Sequence, residues 1–300
     1  LYSIVILLMS SIINTSFSQE YNVFNDEMVE VNYISSVTNI KENIFYLGLQ
    51  FQLKPGWKIY WRQPGDSGMP PELNYSESKN LKSFKIKWPY PLKEYEAANL
   101  LTNVYKGKVI LPIEVSAIDT KKLLQINSVL KFQVCKDICI PLKTNLFIKI
   151  DAGKAKFTKD FFQIEKALAK VPRDYKSAGI NYVVLNKSSE KSLILNIESA
   201  IEFPQGSLEV FLEDKTEFIK INNITLVKND KYNISAKLDL EKSIDSLNSL
   251  DIVLVKGDLA ALKKSLTIES NTINSIYLVL LIALLGGLIL NFVVCVFAVV

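Results

Sequence analysis

The 300-residue chain has no histidine, only three cysteines and three methionines, and no block of like charge. Without histidine there is no Ser-His or Cys-His nucleophile pair, no His-ligated zinc, and none of the usual general base at neutral pH. The 35 basic and 31 acidic residues are interspersed and leave a net charge of +4. No basic run is available to follow a phosphate backbone, so nucleic acid is not an expected partner. Apolar residues are plentiful at 49%, enough for more than one core in a chain of this length. Thiol chemistry is the most distinctive chemistry left, and no cofactor is expected.

Two of the cysteines lie in Phe132-Gln133-Val134-Cys135-Lys136-Asp137-Ile138-Cys139-Ile140-Pro141. Leu130, Phe132 and Val134 alternate with Lys131 and Gln133, and Pro141 cannot continue a ladder, so the pair should sit where a strand breaks into a turn. In an unbroken strand, Cα atoms four residues apart are about 13 Å from each other, whereas a disulfide needs them within about 7 Å. Lys136-Asp137-Ile138 must therefore bend if the two sulfurs are to bond. As a staple, so small a loop is worth roughly 2 kcal/mol, little for a chain this large. A short ring at a turn is better suited to opening and closing. On spacing alone three uses stay open: redox exchange, a static disulfide, and a soft-metal site. The last is short of ligands, since outside the first segment only Met28 and Met69 remain.

In chain order, residues 1–18 form an uncharged apolar segment ending in Ser16-Phe17-Ser18. They read as a secretory signal cleaved before Gln19, and the missing positive n-region and initiating methionine suggest a start that is clipped or miscalled. Export would put the cysteines where disulfides persist. Residues 19–151 are strand-like. Phe45, Leu47, Leu49, Phe51 and Leu53 alternate with polar or small residues, as do Val109, Leu111, Ile113 and Val115, which argues a β-sandwich. Within it, the turn-rich and aromatic stretch from Lys54 to Pro71 is either a binding surface or a loop over core tryptophans, Trp57 and Trp61. Residues 152–172 hold a short amphipathic helix, with Phe161, Ile164, Leu168 and Val171 on one face and Pro172 as its stop. Residues 173–269 carry further strands, among them Tyr182 to Leu185, Leu193 to Ile197 and Leu250 to Val255. They are expected to form a second sandwich without a site of its own. Residues 270–300 contain no acidic or basic residue, and Ser275 to Val300 make about 39 Å of helix, enough to cross a bilayer. The expected class is all-β: two sandwiches joined by a short helix and followed by one transmembrane helix.

Taken together and in this order, several stretches resemble the DsbD and ScsB thiol:disulfide interchange reductases. They are Trp57 to Arg62 with Pro64-Gly65-Asp66, Tyr105-Lys106-Gly107 before Leu111-Pro112, Cys135 to Pro141, and Gly286-Gly287-Leu288-Ile289-Leu290-Asn291 before Cys295. The resemblance implies an exported, immunoglobulin-like domain that takes electrons from a membrane domain and passes them to oxidised periplasmic proteins. Cys135 and Cys139 would be the exchanging pair, and Cys295 one of two membrane cysteines. A cap loop shields the pair in that family, and Glu94-Tyr95-Glu96 is the candidate for it. Two departures stand out. The prolines that flank the membrane cysteine in the family are replaced in Val293-Val294-Cys295-Val296-Phe297-Ala298, and the sequence ends at Val300 within its first crossing.

The expected function is thus thiol–disulfide exchange by a protein of the bacterial inner membrane with its soluble domains in the periplasm. Its expected partners are thioredoxin-like or disulfide-isomerase-like proteins, a membrane electron-transfer domain in cis or in trans, and the lipid bilayer. Cys139, beside Pro141 at the edge of the turn, is the expected attacking thiol. The rival readings are a tethered β-sandwich binding module with a static disulfide, and copper handling through Cys135 and Cys139.

Overall fold

The computed structural model describes residues 19–214, 218–243, 249–270 and 280–286. The chain divides into two compact units. The first holds the described residues up to Arg62, with Met69–Trp88 and Tyr105–Ala169; the second holds Gln63–Gly68, Pro89–Val104 and the described residues from Lys170 onward.

Two antiparallel sheets build the first unit. One has the order Val23–Asn25, Val29–Ser35, Ile44–Leu53, Lys108–Ala117, Leu81–Ile86. The other contains Glu20–Tyr21, Cys139–Ile150, Leu124–Cys135 and Lys58–Gly65, with the short strand Glu72–Asn74 also paired to Leu124–Cys135. Period-two patterning decides which faces turn inward. Along Leu124–Cys135 the residues Leu124, Ile126, Leu130, Phe132 and Val134 are buried, while Gln125, Asn127, Lys131 and Gln133 are not. The two inner faces meet where Phe51 and Phe132 pack edge-on at 5.4 Å and where the Tyr33 hydroxyl and Ser128 Oγ lie 2.7 Å apart.

The helix Phe161–Leu168 seats on the other face of the five-stranded sheet. Its fully buried Ile164 joins Ile34 and Ile110, with Tyr46, Ala167 and Leu168 around them. Gly48 makes this seat. A Cβ at Gly48 would fall 2.7 Å from Ile110 Cγ2 and 2.9 Å from Ile34 Cγ1, so only a residue without a side chain lets the two isoleucines close over the strand. The helix ends before Val171, and only part of the expected apolar stripe is used: Ile164 is buried, while Phe161 and Leu168 are half-buried.

Strands of the second unit follow the order Phe218–Ile219, Leu208–Glu213, Ser249–Lys256, Leu259–Ser270, Ile180–Ser189, Ser192–Ser199, Asn233–Leu240, Ile221–Asn229, with Arg173–Asp174 beside Leu259–Ser270. Leu259–Ser270 links the two halves. It pairs antiparallel with Ser249–Lys256, then parallel with Ile180–Ser189 at Ile268, Glu269 and Ser270; Ser265, at φ 48°, marks the register shift. Alternating residues of both halves, Leu185, Leu195, Val210, Leu238, Ile252 and Ala261 among them, enclose one core. The unit also carries a hairpin of Leu92–Tyr95 against Leu101–Lys106.

The expected all-β class is found, with sandwich sheets. Among the described residues no helix is long and apolar enough to cross a membrane. Of the expected span 270–300, Ser270 ends a strand and residues 280–286 are helical; the rest of it, Cys295 included, and the expected signal segment 1–18 lie outside the described residues.

Candidate functional site: a disulfide across a hairpin end

Leu124–Cys135 and Cys139–Ile150 pair residue for residue from Leu124 with Ile150 to Cys135 with Cys139. The required bend is a three-residue hairpin loop, Lys136-Asp137-Ile138, closed by the Lys136 N–H donating to the Ile138 carbonyl at 3.1 Å. The two cysteines thereby face each other with Cα atoms 4.1 Å apart, and their sulfurs are bonded.

The two sulfurs differ in surroundings because the two strands differ in position. Cys135 ends a strand flanked on both sides, by Cys139 and by Lys58, and is 1% exposed. Cys139 begins a strand whose other neighbour, Glu20–Tyr21, pairs only far away at Lys149 and Ile148, and it is exposed. Next to it Ile138 is 66% exposed, an apolar side chain beside the exposed cysteine.

A second layer of residues sets the hairpin end. The chain turns at Lys54–Trp57, where the Trp57 N–H donates to the Lys54 carbonyl at 3.1 Å. Gly56 adopts φ 85° there, and a Cβ on it would lie 3.0 Å from Lys136 Cε, so the Lys136 stem rests against glycine. Tyr60 is fully buried, yet its hydroxyl reaches to 3.7 Å from Cys139 Sγ. Trp61 is fully buried and Trp57 half-buried, with the Arg62 guanidinium 4.8 Å over the Trp61 ring. Of the two readings of this aromatic stretch, the structure places Trp61 in the core.

Gly56, Lys58 and Tyr60 were not among the expected site residues. Their aromatic and turn-rich stretch is visible in the sequence, but the register that pairs Lys58 with Cys135 is not encoded in any spacing along the chain.

Glu94, Tyr95 and Glu96 lie at the end of the Leu92–Tyr95 and Leu101–Lys106 hairpin, in the second unit, whereas the cysteines lie in the first. The tip turns through Ala98 and Asn99, both at φ 58°. Glu96 holds it: its N–H donates to the Leu100 carbonyl at 2.8 Å, and its Oε1 accepts the Thr102 hydroxyl at 2.8 Å. Tyr95 is 57% exposed. Among the described residues no group of three or more cysteine, aspartate or glutamate side chains is placed to hold a metal ion.

Fold and site define a two-layer β domain with a disulfide at the loop end of a hairpin, between an exposed Cys139 and an enclosed Cys135. Residues 26–150 match the family described as "Thiol:disulfide interchange protein DsbD, N-terminal". This match covers under half of the chain and places residues 26–150, rather than the whole chain, with the N-terminal domain of the DsbD thiol:disulfide interchange proteins. The N-terminal periplasmic domain of ScsB from Proteus mirabilis has a similar fold, with a TM-score of 0.64 and 22% identity, over 84% of this chain and 99% of that one. Among curated protein sequences none matches.

Proposed function

We propose that Cys135 and Cys139 carry electrons between other proteins by thiol–disulfide exchange. The observation that carries this reading is the asymmetry of the pair: an exposed Cys139 bonded to a Cys135 that is 1% exposed. In the reduced chain the Cys139 thiolate attacks one sulfur of a partner's disulfide. A mixed disulfide forms, and the partner's other sulfur leaves as a thiolate that takes up a proton. The Cys135 thiolate then attacks Cys139 Sγ, closes the internal bond and releases the partner's second sulfur. Two electrons have passed to the partner and the pair is oxidised. The same steps in reverse, driven by a donor dithiol, restore it.

Further parts of the reading follow the family pattern. The soluble units work in the periplasm on thioredoxin-like or disulfide-isomerase-like partners. The segment 270–300 anchors the chain in the inner membrane, where Cys295 belongs to an electron-transfer domain completed in cis or in trans. The Glu94-Tyr95-Glu96 hairpin shields the pair. A carboxylate brought near a thiol raises its pKa and an aromatic ring excludes water, so both slow attack until a partner displaces them.

Trapping tests the exchange itself. Cells carrying Cys135→Ser should accumulate mixed disulfides through Cys139, separable on non-reducing gels and lost on reduction. Recovery of no partner from Cys135→Ser or Cys139→Ser would leave a static disulfide in a tethered module.

A further inference from the structure

The exchange steps use neither the Pro64-Gly65-Asp66 motif nor the second sandwich, and both bear on the hairpin that carries Glu94-Tyr95-Glu96. Gly65 sits at φ 101°, and a Cβ there would fall 2.2 Å from the Leu101 carbonyl oxygen, so only glycine lets the chain run this close to the hairpin's return strand. Asp66 then clamps that strand twice. Its N–H donates to the Leu101 carbonyl at 2.9 Å, and its Oδ2 accepts the Leu101 N–H at 2.7 Å.

The same carboxylate pairs at 3.0 Å with Lys220, which stands between the sandwich strands Phe218–Ile219 and Ile221–Asn229 and is only 9% exposed. Lys220 also donates to the Asn99 carbonyl at the hairpin tip, at 2.8 Å, and pairs with Glu241 at 3.2 Å. On the outgoing strand of the hairpin, Lys93 donates to the Val210 carbonyl at 2.8 Å and lies 4.7 Å over the Phe211 ring. Val210 and Phe211 belong to the sandwich strand Leu208–Glu213. Two lysines therefore tie both strands of the hairpin to the second sandwich. The tip itself borders an open hollow of about 620 Å³ lined by Tyr95, Ala98, Asn99, Lys220, Asn222 and Glu241, which leaves it room to move once those ties are cut.

We propose that Lys220 and Lys93 are positioning residues through which the second sandwich sets how readily the Glu94-Tyr95-Glu96 hairpin opens, and so how fast Cys139 is reached. The inference rests on the reading that this hairpin shields the cysteine pair. It gives the second sandwich a task, holding the shield in place, and gives Asp66 one as well.

The test measures reduction of the Cys135–Cys139 bond by dithiothreitol in the oxidised full chain, followed by maleimide gel shift, with thermal unfolding read first for each variant. Lys220→Met and Lys93→Met should each speed reduction about fivefold, the order of effect expected from losing one partly buried charged contact. Lys220→Arg should keep the parent rate. In a Tyr95→Ala background, where the shield is already impaired, Lys220→Met should add nothing. If Tyr95→Ala speeds reduction while Lys220→Met does not, the anchoring role is overturned and the shielding stands. If Tyr95→Ala has no effect, the shielding itself fails and this inference falls with it. An equal gain from Lys220→Met in both backgrounds also overturns it, because the lysine would then act elsewhere. Should Lys220→Met fail to fold, Lys93→Met carries the same comparison from the other strand.

Discussion

In a Cys295→Ser background, replacing Cys135 by serine leaves a single thiol at Cys139, an exposed residue, and replacing Cys139 leaves a single thiol at Cys135, which is 1% exposed. Iodoacetamide must reach the sulfur to alkylate it, so the Cys139→Ser chain reacts only when the hairpin end opens. Cys135 is held in register by Lys58 on one side and by residue 139 on the other, and the loop beyond it by the Lys136 to Ile138 bond. Opening breaks at least two such hydrogen bonds, at about 1 kcal/mol net each, and lifts the Lys136 stem off Gly56. An opening free energy of about 2–3 kcal/mol corresponds to alkylation slower by roughly 30- to 150-fold. The assay is a time course at about pH 8 followed by intact mass, with both variants repeated in urea to equalise access. Rates within about threefold of each other in the folded chains, or a faster Cys135, would refute the assignment of Cys139 as the sulfur that partners meet.

Tyr60→Phe removes the hydroxyl 3.7 Å from Cys139 Sγ. A hydrogen bond donated to a thiolate favours the charged form, so in the Cys135→Ser background its loss should move the pH–rate profile of Cys139 alkylation upward by about half to one pH unit; an unmoved profile removes Tyr60 from the site. A second variant addresses stability against pH. Lys87 lies 2.7 Å from Glu114, and its hydrogen bond holds the Glu114 carboxyl below the usual carboxylate value. A carboxyl lowered in the folded chain contributes its full stability above the usual carboxylate range and loses it as pH falls through the lowered value. Lys87→Met should therefore cost under about 1 kcal/mol near neutral pH, with parent and variant converging at strongly acid pH in urea titrations. A difference that persists in acid would show that the lysine acts through packing instead.

Local patterning made the β-structure legible. Leu124–Cys135 alternates so cleanly that its strand, its inner face and the bend after Cys135 all follow from residue order. The expected exposure of Cys139 rested on its place beside Pro141, whereas its cause in the structure is that Cys139 lies on a strand with no near neighbour on its far side. That is a property of sheet order, and sheet order is non-local. The same holds for Lys58 and Tyr60, brought to the cysteines by pairing across the sheet, and for Gly48, whose role depends on Ile34 and Ile110 from two other strands. Least legible was the grouping of Gln63–Gly68 and Pro89–Val104 with the second unit. Nothing near Lys93 in the sequence announces Val210, and nothing near Asp66 announces Lys220, since each partner lies more than a hundred residues away.

The energetics of the hairpin suit a bond that opens and closes, as proposed. Closing a loop of about five residues stabilises the chain by roughly 2 kcal/mol. The two strands it joins are already paired along their whole length and anchored by Phe132 and Val134 in a closed core, where removing one large side chain alone would cost about 3–5 kcal/mol. Reduction therefore subtracts a small term from a structure that does not depend on it. The Lys136 stem against Gly56 and the Lys136 to Ile138 bond are contacts of the loop that do not involve the sulfurs. A disulfide set deeper in the same ladder would add more stability and be harder to reach. At the loop end, with Cys135 enclosed and Cys139 exposed, the proposed change of state would ask little of the strands that present the pair.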